Sequence, residues 1–141
     1  MCADFSARDP ILGYLFQARY ALWLLLNGLE EQELILEGLD DIEFEINGTA
    51  QELLQIKHHS TVASLTDTSV ELWKTIRIWS THVASGKINP RSTILTLITT
   101  AVASDNTIAA RLRPDSNRDS NKALTDLCHI ADISRNEKLK S

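Results

Sequence analysis

The stretch DIEFEINGTAQELLQIKHH, Asp41–His59, decides how the rest of the chain is read. Its first part alternates, with Ile42, Phe44 and Ile46 on one face of a strand and Asp41, Glu43 and Glu45 on the other. Asn47-Gly48 is a dipeptide favoured in two-residue hairpin turns, whose central residues take positive φ. The following strand places Leu53, Gln55 and Lys57 on one face and Leu54, Ile56 and His58 on the other. A Gln-x-Lys pair ending an apolar strand breaks the packing pattern, and such breaks are expected where function overrides packing. If Asn47-Gly48 joins the two strands, Asp41 and Lys57 stand at the same end of neighbouring strands.

Working outward, DPILGYLFQARYALWLLLNGLEE reads as a first helix. Asp9 suits its cap, Pro10 its first position, and Asn27-Gly28 its stop. Its apolar residues run round much of the circumference, which predicts packing against a sheet. Glu33–Glu37 is a first strand, Asp41–Asn47 a second and residues 51–58 a third. A second helix follows, with Thr68 and Glu71 as a capping box, Trp73, Ile76, Trp79 and Val83 at helical spacing, and Gly86 as its end. The β-branched run Ser92–Ala101 predicts a fourth, central strand. TIAARLRPD reads either as a short helix or as an edge segment, and residues 119–134 read as a last helix capped by Asp119 or Ser120. The predicted order is α-β-β-β-α-β-α, an α/β (α+β) fold with a mixed sheet flanked by helices.

With 141 residues and 43% hydrophobic content, the chain can bury one core, and a single domain over residues 1–141 is expected. The apolar run Ala21–Leu26 spans six residues, against about 20 for a membrane helix, so no membrane association is expected. The N-terminus lacks a basic region followed by an apolar stretch, and Cys2 and Cys128 suit free thiols, which together predict a cytoplasmic protein. The net charge of −5 opposes binding to an anionic polymer, but it is unevenly spread. Glu30–Glu45 carries acids and no Lys or Arg, whereas Lys74, Arg77, Lys87, Arg91, Arg111, Arg113 and Arg118 face only Asp105 and Asp115 between them. The tail RNEKLKS has no terminating signal, and the chain is read as the N-terminal part of a longer protein.

The residue types at the hairpin suit metal-assisted phosphodiester hydrolysis. Asp41 offers a hard carboxylate oxygen to a divalent cation, and Gln55 a second oxygen or a means of orienting the metal-bound water. Lys57 can stabilise charge on the attacked phosphate, and Glu37 can complete the metal shell. The competing reading of Asp41 and Lys57 is a surface ion pair of little energetic value. Glu43 and Glu45 read as a solvated face, Trp73 and Trp79 as core, and Gln17 as a buried amide or a residue reaching the site. His58 and His59 are adjacent in a strand and point to opposite faces, so no zinc site is expected.

The helix–strand order, with Asp followed by Gln-x-Lys, resembles the restriction-endonuclease-like (PD-(D/E)xK) superfamily in the variant where Gln replaces the second acid. More narrowly, GYLFQARYAL, LEGLDDIEF, LLQIKHH, LTDTSVELWKTIRIWS and LITTA are similar to the double-stranded DNA endonuclease domain of CD-NTase-associated antiphage defence effectors, over Gly13 to about Ile133. The resemblance implies a magnesium- or manganese-dependent endonuclease acting on double-stranded DNA. Asp41, Gln55 and Lys57 would be catalytic, Asp41 and Gln55 would hold the metal, and Glu37 and Gln17 would support them. Lys74, Arg77, Lys87 and Arg91 would approach the DNA. Members of that family carry a further sensor or assembly region, which implies an oligomer or an additional domain in the full-length protein. The alternative is a catalytically inactive DNA-binding or protein-interaction module on the same fold.

Overall fold

The computed structural model describes the backbone of residues 8–140 and the side chains of residues 10–135. The expected capping side chain of Asp9 and the thiol of Cys2 therefore lie outside the described residues; the Cys128 thiol is free and exposed. The elements are α1 (Arg8–Asn27), β1 (Glu33–Leu36), β2 (Ile42–Ile46), β3 (Thr49–Lys57), α2 (Val70–Ala84), β4 (Ile94–Thr99), α3 (Ile108–Leu112) and α4 (Ser120–Lys140). By their contacts the residues group into two compact units, Thr75–Thr100 joining the chain up to Thr61, and Val62–Lys74 joining the chain from Ala101 onward.

In the first unit the strands form one four-stranded mixed sheet in the order β1-β2-β3-β4. β1, β2 and β3 are antiparallel neighbours, and β4 lies parallel to β3. Asn47 and Gly48 have φ of 53° and 71°, and Ile46 pairs with Thr49, so β2 and β3 meet in a two-residue turn with both central residues left-handed. A register shift beside Phe44 leaves Gln51 as an extra residue on β3. Beyond it Ile42 pairs with Leu54, which sets Asp41 beside the end of β3. Ala21, Ile42, Phe44, Leu54 and Ile56 form the core between α1 and one sheet face, with Phe16, Tyr20, Leu24, Leu34 and Ile98 against them.

Several expectations change. Among the described residues β4 is an edge strand, paired with β3 alone. An apolar, β-branched run reports how its two faces pack and carries no information about its hydrogen-bonding edges. Only one side of α1 packs, while Ile11, Leu15, Leu22, Trp23 and Leu26 are all at least half exposed. Glu43 is not solvated: it is 3% exposed, and its Oε2 accepts from the Leu39 N–H at 2.9 Å. Lost hydration raises the pKa of the neighbouring Glu45 carboxyl, as do the charge of Glu43 and a hydrogen bond shared with it. At α2 the residue before the helix is Ser69, whose carbonyl accepts from the Trp73 N–H at 3.2 Å, so the helix begins one residue later than a cap at Thr68 implies. The Ser69 Oγ accepts from Thr66 N, upstream of the helix, at 2.8 Å. Gly86 does close α2, at φ 71°: Gly86 N–H bonds Val83 O and Lys87 N–H bonds His82 O, the paired bonds of a Schellman ending.

The second unit contains α3, so TIAARLRPD is a short helix and not an edge segment. Thr107 caps it by accepting from Ala110 N at 3.2 Å. Asp119 caps α4 by accepting from Lys122 N at 2.9 Å. Arg111 of α3 pairs with Asp126 of α4 at 2.8 Å, and Lys122 reaches the other oxygen of Asp126 at 2.7 Å. Ile108 and Ala123 are fully buried here.

Candidate functional site

The five residues that link β1 to β2, Glu37 to Asp41, form a tight loop at one end of the sheet. Glu37 has φ 55°, and its N–H donates to Asp41 O at 3.1 Å. Gln17, 7% exposed on α1, donates from Nε2 to that same carbonyl at 2.7 Å and to Glu37 Oε1 at 2.8 Å. A single amide thus ties α1 to both ends of the loop. Gln17 serves both readings given to it, a satisfied buried amide and a residue at the site.

Asp41 stands one residue ahead of β2, where its backbone no longer takes part in the ladder. Its Oδ2 accepts from the Ile56 N–H at 2.6 Å, and also from Gln55 Nε2. The carboxylate replaces the missing strand partner for Ile56, and Oδ1 takes no part in either bond. Gln55, 4% exposed, stands behind Asp41 and turns its amide nitrogen to it. In this arrangement Gln55 positions the carboxylate.

Asp41 and Lys57 line a cleft of about 290 Å³ together with Glu37, Gln17, Tyr14 and His58. Among the described residues the Lys57 ammonium forms no hydrogen bond and no ion pair, although its charge is felt at Asp40. The surface ion pair weighed as the plain alternative is not formed. A half-buried lysine without a bound counter-charge retains three donors for a ligand.

Asp40 was not singled out from the sequence. It is 9% exposed, its Oδ1 accepts from Asp41 N at 3.1 Å, and its Oδ2 accepts from Trp79 Nε1 of α2. Burial raises the pKa of its carboxyl, against the Trp79 bond, which favours the charged form. His82, one turn along, bonds Leu39 O through Nε2 at 2.8 Å. Trp79 is therefore half-buried with a polar task, tying α2 to the loop that carries Asp41. The pair Asp40-Asp41 was the available signal, because neighbouring residues at a strand start face opposite sides of a sheet.

Of the basic residues expected to approach DNA, Lys87 and Arg91 stand at the other end of the sheet from the cleft. Arg77 is exposed on α2, and Lys87 and Arg91 are exposed in the connection into β4. The parallel register sets Ile94 beside Glu52 and Thr99 beside Lys57, so that connection enters at the end of the sheet away from Lys57. Lys74 lies in the other unit, as do Arg111 and Arg113. Arg111 is taken up by Asp126, and Arg113 donates to Ala103 O at 2.6 Å.

Among the described residues no three His, Cys, Asp or Glu side chains converge to hold a metal ion by themselves. Magnesium asks for less: it keeps several waters and is commonly held by one or two carboxylates together with substrate phosphates. Asp41 and Glu37, lining one cleft, fit that requirement. Among the described residues no helix is long and apolar enough to cross a membrane. No protein-family model matches the chain, and no curated protein or solved structure matches it.

Proposed function

We propose that this chain is a magnesium-dependent DNA endonuclease domain with a restriction-endonuclease-like core, serving a cytoplasmic antiphage effector. The observation that carries the reading is the shared cleft lined by Asp41, Glu37 and a Lys57 whose ammonium has no partner among the described residues. Two carboxylates and a free cation suit a phosphodiester bridged to a divalent ion. Asp41 and Glu37 would hold the ion, with Gln55 fixing the rotamer of Asp41 through its amide. Bound there, magnesium would supply an activated water and polarise the phosphoryl oxygen. Lys57 would donate to a non-bridging phosphate oxygen, offsetting charge that grows as water adds to phosphorus and the P–O bond to the leaving oxygen breaks. Gln17 would keep Glu37 and Asp41 in register.

The second reading, a nuclease-fold interaction module without activity, draws on the net charge of −5 and on the structural bonds that Asp41 makes. Plasmid cleavage in magnesium, by the wild type and by Lys57→Ala, separates the two. Metal-dependent cleavage lost in the variant supports the enzyme, and a folded wild type that does not cut supports the module.

A further inference from the structure

Helix α1 carries two apolar faces, and the sheet uses one. Ala21 and Leu24 pack in and against the core, and Gln17 on the same side bonds the loop of residues 37–41. On the other side Ile11, Leu15, Ala18, Leu22 and Leu25 follow one another at intervals of four, three, four and three residues. At about 3.6 residues per turn these intervals draw one seam along the helix, the spacing of positions through which two helices pack together. Tyr14 and Leu26 border the seam. Ile11, Tyr14, Leu15, Leu22, Leu25 and Leu26 are each at least half exposed.

Single exposed leucines are ordinary, but a continuous apolar patch is not. Side chains of this size in that state uncover roughly 600 Å² together, the upper end for the surface of a monomer. Trp23 and Leu29 flank them and are also more than half exposed. They bring the patch close to the area, about 800 Å², that each partner buries in a standard stable interface. Residues 10–29 contain no acid and one basic residue, Arg19, in a chain of net charge −5. Two copies that meet along this stretch oppose none of its residues as like-charged carboxylates, the repulsion that other pairings of an acidic chain incur. Ala18, in the middle of the seam, has no side chain beyond Cβ and lets two helix axes approach to about 8 Å.

We infer that this face of α1 is a self-association surface, on which two copies of the chain pair about a two-fold axis, seam against seam. A seam of this spacing is complementary to an identical one, because each large residue of one helix enters the space between residues of the other. Tyr14 lines the Asp41–Lys57 cleft as well as bordering the seam, so the partner chain stands near the rim of that cleft. The pairing does not rest on the nuclease reading.

The test is sedimentation velocity of the whole chain, from submicromolar to several hundred micromolar, with melting curves at each end of that range. The wild type should pass from monomer to dimer in the micromolar range, and its melting temperature should rise with concentration. Leu22→Glu enters a two-fold interface twice and should raise the dissociation constant about 100-fold or more. Because Leu22 is exposed in the single chain, the variant should melt like the dilute wild type. Leu25→Gln serves if that variant does not fold, and should weaken the dimer about tenfold. Ser80→Glu adds the same charge at an exposed position of α2 and should leave the dimer unchanged. A wild type that stays monomeric throughout, or a dimer that both seam variants leave intact, overturns the inference. So does a monomeric wild type that Leu22→Glu strongly destabilises, which would mean that the same chain covers the face. None of these outcomes bears on the nuclease reading, which plasmid cleavage tests separately.

Discussion

At Asp41 one carboxylate oxygen serves the fold and the other takes no part in those bonds, so substitutions there can separate the structural role from the proposed chemical one. Asp41→Ala leaves the Ile56 N–H without an acceptor, and should cost about 1–3 kcal/mol of stability, read from chemical denaturation. Asp41→Asn keeps an oxygen for Ile56 and should melt closer to the wild type, while losing the charge proposed to hold magnesium and, on that proposal, cleavage. Equal stability of the alanine and wild-type proteins would remove the structural role. Asp41, Gln55 and Lys57 could be placed together from sequence because strand pleating and a two-residue turn are local rules, and the turn at Asn47-Gly48 obeys them. Glu43 could not be read that way. Alternation marked it as solvated, but the loop of residues 37–41 folds onto it and bonds its carboxylate, and no local pattern announces a loop that returns to its own strand. Asp40 and Trp79 escaped for the same reason, their bond joining residues 39 positions apart.

The loop of Glu37–Asp41 is the element on which the site depends, and Gly38 is its tightest point. A Cβ at Gly38 would lie 2.5 Å from Glu43 Oε2 and 3.1 Å from Ile35 Cγ2. Gly38→Ala should therefore push the Glu43 carboxylate off the Leu39 N–H and destabilise the domain by about 1–3 kcal/mol, with cleavage falling as the loop shifts. A variant with wild-type melting and activity would show that Glu43 yields freely. In the second unit, α3 and α4 are linked by Asp126, whose pKa is lowered first by its hydrogen bond to Lys122 and then by the nearby positive charges. A carboxyl depressed in the folded state adds stability above its ordinary unfolded pKa and loses it as pH falls through the folded value. The melting difference between wild type and Asp126→Asn should thus be small at neutral pH, shrink on acidification below the usual carboxylate range, and weaken with salt. A difference that grew in acid would reverse the assignment. Helix ends at this scale were readable, since Gly86 and Asp119 do what their residue types predict. The edge position of β4 was not, because its apolar side chains describe faces alone.

Over the whole molecule, charge is the main obstacle to the nuclease reading. In the first unit Lys87 and Arg91 stand at the end of the sheet away from Lys57, and in the second unit Arg111 and Arg113 are bonded internally. DNA binding should then be weak, depend on magnesium to offset Asp41 and Glu37, and fall with rising salt. Fluorescence anisotropy on a labelled duplex, in calcium or magnesium against chelator, measures this, and binding that ignores the metal would contradict it. Joining two copies through a dimerising helix should raise the effective concentration and the cleavage rate without new contacts. The most direct measurement follows supercoiled plasmid exposed to the wild type and to Lys57→Ala, each alone and as a tethered pair, in magnesium and in chelator, with melting curves for every protein. The account predicts nicking and linearisation by the wild type in magnesium only, and a loss of roughly 100-fold or more in a Lys57→Ala protein that melts like the wild type. Equal cleavage by Lys57→Ala, or no cleavage by a folded wild type in either form, would contradict it.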